Sequence, residues 1–139
     1  MKTEIISELT EILKQKFNQD LLAIVLFGSI VKGNFTTTSD IDVLVVCENL
    51  IKDWRVRDKM TLELTEEIEL KYATSIHMAL VSRDEISHAI ESVSPLMLEI
   101  YEANEVIYEK ENLFTQLLSN FGNNLKNLHA IKIEKGVWK

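Results

Sequence analysis

Apolar residues recur at helical spacing near the start of the chain. Ile5, Ile6, Leu9, Ile12, Leu13 and Phe17 share one face, which predicts a helix over 3–17, with Thr3 placed to cap it. The pattern then changes to a continuous run, LLAIVLF at 21–27, whose β-branched centre and following glycine favour a buried strand. Gly28 to Ser39 is rich in Gly, Asn, Thr and Ser and reads as a turn, with room for a short helix at Ile30–Lys32. DIDVLVVC at 40–47 is a second strand, polar at its start and apolar through its body. Further on, 53–71 reads as a helix, 73–81 as a third strand, and 83–90 and 95–101 as two shorter helices, the second with Ser94 and Pro95 as cap and first-turn pair. A short strand at 105–108 and a helix over 113–128 complete the series. Strands alternating with helices predict an α/β or α+β domain built on a mixed sheet, with helices packed mainly on one face.

Composition narrows the picture. The chain has 139 residues, 46% hydrophobic and 27% charged, with one proline and four glycines. These values suit one domain, 1–139, with its own core. No apolar run reaches the roughly 20 residues of a membrane span, and the N-terminus lacks the apolar block of a signal peptide, so a cytoplasmic protein is expected. Cys47 is the single cysteine and ends an apolar strand, which marks it as a buried thiol and excludes an internal disulfide. The formal net charge of −7 argues against a long nucleic-acid ligand, because backbone binding depends on Lys and Arg neutralising phosphates.

The candidate chemistry lies between the first two strands. Gly28 removes a side chain where the backbone turns, so a ligand can approach the main chain. Ser29 stands at a helix start, where free N–H groups and the dipole favour an anion. Lys32 adds a positive charge, and Gly33 and Asn34 close the turn. Asp40 and Asp42 are two apart on a strand, so both carboxylates project to one side. Like charges so placed raise each other's pKa unless a cation joins them, and magnesium takes one or two protein carboxylates together with phosphate oxygens. Two metals there could bridge the attacking and leaving oxygens of an in-line displacement. Other motifs fit less well: GSIVKGN lacks the GxxxxGK[ST] of a Walker loop, and TSDIDVLVV lacks the ligand spacing of a calcium-binding EF-hand loop.

Gly28-Ser29, ten intervening residues and Asp40-Ile41-Asp42 resemble the GS-x10-DxD signature of the DNA polymerase beta-like nucleotidyltransferase superfamily. The inner pattern GSIVKG…SDIDVLVV is most similar to the minimal nucleotidyltransferases, small prokaryotic proteins often paired as antitoxin with a HEPN-domain toxin. VSRDEISHAIESVSPLMLEIYEANEVIYEK resembles that family's usual ending, so the likeness spans about 5–110 at the level of elements. The resemblance implies that Gly28, Ser29, Lys32, Gly33 and Ser39 bind a nucleoside triphosphate, ATP in the first instance. It also implies that Asp40 and Asp42 hold one or two magnesium ions and that a nucleoside monophosphate passes to an acceptor hydroxyl.

The sequence departs from the pattern at one point. Active members usually carry a third carboxylate on the third strand, and ATSIHMALVS has none; His77 occupies the matching position. Three readings of His77 stand open: a neutral general base, a weak metal neighbour, or a strand-surface histidine in a site of reduced activity. Glu67 or Glu69 could reach in instead. His88 and His129 have no ligand partners at metal spacing, and Phe114 and Phe121 fit the buried face of the last helix. The basic tail LKNLHAIKIEKGVWK reads as a frayed terminus or as a phosphate or partner contact with Trp138 as its anchor. Two functions follow: a magnesium-dependent nucleotidyltransferase, acting on a HEPN-type partner, or a nucleotide-binding antitoxin that works chiefly by sheathing its partner. Transfer to a small molecule such as an aminoglycoside would need a second domain or a homodimer to shape the acceptor pocket.

Overall fold

The structure, a computed structural model, describes residues 2–33 and 40–134. The chain runs α1 (Lys2–Phe17), a 3-10 turn (Asn18–Asp20), β1 (Leu21–Phe27), α2 (Ser29–Lys32), β2 (Ile41–Cys47), α3 (Trp54–Tyr72), β3 (Ile76–Ser82), α4 (Arg83–Glu91), α5 (Pro95–Glu102), β4 (Asn104–Glu109) and α6 (Leu113–Glu134). The sheet order is β3-β2-β1-β4, with β2 and β3 parallel and the other two pairings antiparallel. The expected mixed-sheet α/β architecture is therefore present.

The apolar runs become the two central strands. Every residue of β1 is buried, as is every residue of β2 except Asp42, because both faces of the sheet are covered. α1 and α3 lie on one face, closing over Ile24, Leu26, Val43, Val45 and Leu80. The helices are divided more evenly than the sequence pattern indicated, for α4, α5 and α6 pack on the other face over Val25, Phe27, Leu44 and Val46. Met97, Ile100, Phe114 and Phe121 are fully buried there. The two phenylalanines are core residues, as their spacing required. The Cys47 thiol is also buried, and burial pushes its pKa up to about 12, which leaves it inert near neutrality.

Local details differ from the sequence reading in small ways. α1 begins at Lys2, so Thr3 lies in its first turn and does not cap it. α3 is capped by Asp53, whose side chain accepts a bond from the Arg55 N–H. β3 starts at Ile76 and not at 73, because Ala73 takes a left-handed conformation that ends α3 (φ 49°). Glu69 then closes the turn: its carboxylate accepts the Ile76 N–H at 2.9 Å and the Thr65 hydroxyl at 3.3 Å. Ser94 caps α5 with Pro95 at the first position, as expected. Among the described residues, no helix is long and apolar enough to cross a membrane.

Candidate functional site

Alternation along the strands gathers the candidate residues at one end of the sheet. Phe27 is opposite Asp42 on one side and Asn104 on the other, and Asp42 is opposite His77. Asn104, Phe27, Asp42 and His77 thus form one row across four strands. Beyond Phe27 the chain turns through Gly28, with φ 74° and ψ −153°. That conformation is close to glycine-only. A second constraint acts on the same atom, since a Cβ at Gly28 would collide with the Asp42 carboxylate. The glycine is required both by the backbone and by the carboxylate beside it.

α2 follows at once. The Gly28 carbonyl accepts the N–H groups of Val31 and Lys32, both at 3.1 Å. Among the described residues no side chain caps this helix or accepts from the N–H groups of Ser29 and Ile30. Gly33 ends the turn in the left-handed region at φ 85°, and a Cβ there would meet nothing among the described residues. Lys32 closes α2 and lies 3.5 Å from the Glu102 carboxylate of α5.

Asp40 precedes β2 and Asp42 is its second residue, and the His77 ring spans the pair. Its Nε2 is 3.2 Å from Asp40 Oδ2 and its Nδ1 is 3.6 Å from Asp42 Oδ1. The His77 side chain is 68% exposed, whereas that of Asp42 is 25% exposed. Burial raises the Asp42 pKa; His77 pulls it back, and the charges of Glu99 and Asp40 push it further up. A carboxylate held uncomfortably as an anion is one that a divalent cation would relieve. Among the described residues, no three His, Cys, Asp or Glu side chains converge into a cage. The carboxylate pair could hold a metal only with outside oxygens completing its shell, as magnesium sites commonly do.

The structure brings Gly28, Ser29, Lys32, Gly33, Asp40, Asp42 and His77 to one rim. Ser39 lies outside the described residues, as do Asn34 and Trp138. Glu69 is committed to the α3–β3 turn and does not reach in, and Glu67 is exposed on α3. The sequence reading placed a helix at 95–101 but gave none of its residues to the site; α5 carries Glu99 and Glu102, and Glu102 meets Lys32 at 3.5 Å. The only signal was their spacing of three on a short amphipathic helix, which gives no hint of what the helix covers.

The "Polymerase beta, Nucleotidyltransferase" family model matches residues 7–113. The chain belongs to that family. It is 32% identical over 140 residues to a Methanocaldococcus jannaschii protein described as "Putative protein adenylyltransferase MJ1305", covering 100% of this chain and 94% of that one. Among solved structures, one described as a toxin-antitoxin with AMP-PNP aligns with a TM-score of 0.63 at 14% identity, covering 92% of each chain. The spectinomycin adenyltransferase AAD(9) from Enterococcus faecialis, with ATP and spectinomycin, aligns with a TM-score of 0.60 at 15% identity, over 81% of this chain and 58% of that one. At those identities the two structures establish a shared nucleotidyltransferase fold.

Proposed function

We propose that this nucleotidyltransferase is magnesium-dependent and moves AMP from ATP to a hydroxyl on a partner protein, working as one domain in the cytoplasm. The observation that carries the reading is the meeting of two carboxylates, Asp40 and Asp42, with the side-chain-free backbone at Gly28. The likeness to a protein adenylyltransferase over the whole chain supports a protein acceptor. The fold shared with a toxin-antitoxin structure holding AMP-PNP supports a toxin partner, of the HEPN class by the resemblance of its sequence.

The residues fit a divalent cation: two carboxylates two residues apart at the start of β2, one of them held above its ordinary pKa by burial and neighbouring charge. Asp40 and Asp42 would hold magnesium, which when bound neutralises phosphate charge. The N–H groups of Ser29 and Ile30 would receive the β- and γ-phosphates, with Gly28 allowing the close approach, Gly33 shaping the turn and Ser39 adding a hydroxyl. Lys32 would exchange its Glu102 partner for a phosphate. The acceptor oxygen forms a bond to the α-phosphorus as the bond from that phosphorus to the bridging oxygen breaks. Pyrophosphate leaves with the electron pair, and the hydroxyl proton passes to a base. Positioning and charge neutralisation carry the reaction.

The test is incubation of the protein with α-labelled ATP, magnesium and its partner. Label is expected on the partner with the native chain and not with Asp40→Asn/Asp42→Asn. Absence of transfer from any of the four nucleotides would overturn the proposal. A second reading is favoured by His77, which stands between the carboxylates where the family usually has a third acid: a nucleotide-binding antitoxin that acts by sheathing its partner. It predicts that the double Asn variant still neutralises the partner.

A further inference from the structure

The turn after β1 and the carboxylates beside it account for phosphates and a cation, and leave the base of a nucleotide without a place. The row from Asp42 through Phe27 to Asn104 leads from the carboxylates to the outer strand β4. Neighbouring strands stand about 4.8 Å apart, so the Asn104 backbone lies roughly 10 Å from that of Asp42. There α5, β4 and α6 border an open cavity of about 440 Å³, a size common for small-molecule sites. Asn104 stands in its wall with Tyr101, Ser119, Gly122, Asn123 and Lys126. A larger cavity, about 820 Å³, has Asp20 and Lys110 in its wall and so lies at the other end of β1 and β4, roughly 20 Å along the strands.

The nearer cavity is built around one aromatic ring. Tyr101 is in the last turn of α5, next to Glu102, whose carboxylate is 3.5 Å from Lys32. The turn after β1 and the Tyr101 end of α5 are thus held side by side. Tyr101 packs on Phe121 of α6, with ring centroids 5.5 Å apart and planes at 61°, and it stays 43% exposed. Gly122 clears the room for it, since a Cβ there would stand 2.7 Å from the Tyr101 hydroxyl. The Asn104 NH2 group donates to the Ile100 carbonyl at 3.0 Å, so what Asn104 offers a ligand is its amide oxygen. Asn123, exposed on α6, brings an amide donor and an acceptor. An aromatic ring flanked by amides suits a flat heterocycle, held by stacking and by hydrogen bonds to its edge.

We propose that this cavity is a base subsite: it takes the nucleobase of the bound nucleoside triphosphate, stacked on Tyr101, with the ribose passing Asn104 toward the α-phosphate at the carboxylates. This rests on nucleotide binding at the turn after β1, which both readings above share.

Calorimetric titrations in magnesium compare the full native chain with Tyr101→Ala, Tyr101→Phe and Ser119→Phe. The ligands are ATP and inorganic tripolyphosphate, which has the phosphates without the base. Tyr101→Ala is expected to lose about tenfold or more in ATP affinity, and Tyr101→Phe little, because the ring stacks and the hydroxyl does not. Ser119→Phe, at an exposed position on the cavity wall, fills the space and should weaken ATP binding by a similar factor at little cost to the fold. Tripolyphosphate affinity should be the same in all four proteins. Native ATP affinity in either Tyr101→Ala or Ser119→Phe would overturn the inference alone, even with transfer lost, because the cavity would then hold the acceptor. Equal losses for the two ligands would also overturn it, as damage to the phosphate site. No binding of either ligand by the native chain would overturn the nucleotide reading, and this inference with it. Melting curves verify that each variant is folded.

Discussion

Two strands of the sheet run directly into helices, and the two junctions are built in opposite ways. β3 enters α4 through Ser82, which forms a capping box: its hydroxyl accepts the Glu85 N–H at 3.1 Å, and the Glu85 carboxylate accepts the Ser82 N–H at 2.8 Å. Arg57 of α3 clamps Glu85 at 2.7 Å and also donates to the carbonyls of Ile51 and Leu80. Two donors at that helix start, the N–H groups of Ser82 and Glu85, are occupied from within. β1 enters α2 through Gly28, with a rare backbone conformation, no side-chain cap and a helix of four residues. Beside it stand two carboxylates, Asp40 and Asp42, with only the exposed His77 ring across them among the described residues. The first junction holds the fold together. The second gathers a positive side chain, backbone donors and two carboxylates at one rim, which suits a ligand that carries phosphates and a cation together.

The largest effects should come from the open junction. Asp40→Asn or Asp42→Asn should each lower transfer by at least about a hundredfold, read as label incorporated per minute, and a rate within about threefold of native would break the comparison. Gly28→Ala should follow. The left-handed backbone costs a non-glycine residue about 1–3 kcal/mol, and the new methyl displaces Asp42, so both melting temperature and ATP·Mg affinity should fall. At the closed junction, Ser82→Ala should cost about 1 kcal/mol of stability in urea unfolding and leave transfer unchanged. Lost activity there would mean that β3→α4 is not a purely structural joint.

The smallest effect is also the most discriminating, because the carboxylates of the two junctions should respond to pH with opposite sign. Burial raises the Asp42 pKa above its ordinary value, so its ionisation costs the folded state: stability is fully present below the unfolded pKa and falls as pH rises through the folded one. Asp42→Asn should therefore be the more stable protein near neutrality, by a small rise in Tm that disappears in acid. For Glu85, burial pushes up, but the bonds from Arg57 and Ser82 outweigh it and the net pKa is lowered. Its contribution is present above the unfolded pKa and is lost as pH falls through the folded one. Glu85→Gln should be the less stable protein near neutrality, with the deficit vanishing in acid. Melting curves of the three proteins between about pH 3 and 8 give the answer, and differences of the same sign would end the contrast.

The elements were legible because each depends on short-range pattern. β1 is an unbroken apolar run, β2 differs only in its polar start, and α1 and α6 carry their apolar residues at helical spacing. Boundaries shifted where a single residue's backbone decided them, as at Ala73, which ends α3 in a left-handed turn that no periodicity announces. His77 was assigned to the site from its match to the family's third-strand position, with alternation in support, and the parallel pairing of β2 with β3 places it opposite Asp42.

The local sequence by itself determined the parts that act within one element or one turn: the strands, the caps at Ser82 and Ser94, the glycine turn after β1 and the shared side of Asp40 and Asp42. Only the tertiary structure decided what surrounds them. The collision awaiting a Cβ at Gly28, the burial that raises Asp42, the His77 ring across two carboxylates and the meeting of Glu102 on α5 with Lys32 all depend on contacts between residues distant in the chain. The physical reason is range. Backbone sterics and side-chain periodicity act over a few residues, whereas burial and charge are set by whichever elements pack together, and α5 reaches the site only through the packing of Met97 and Ile100 against the sheet.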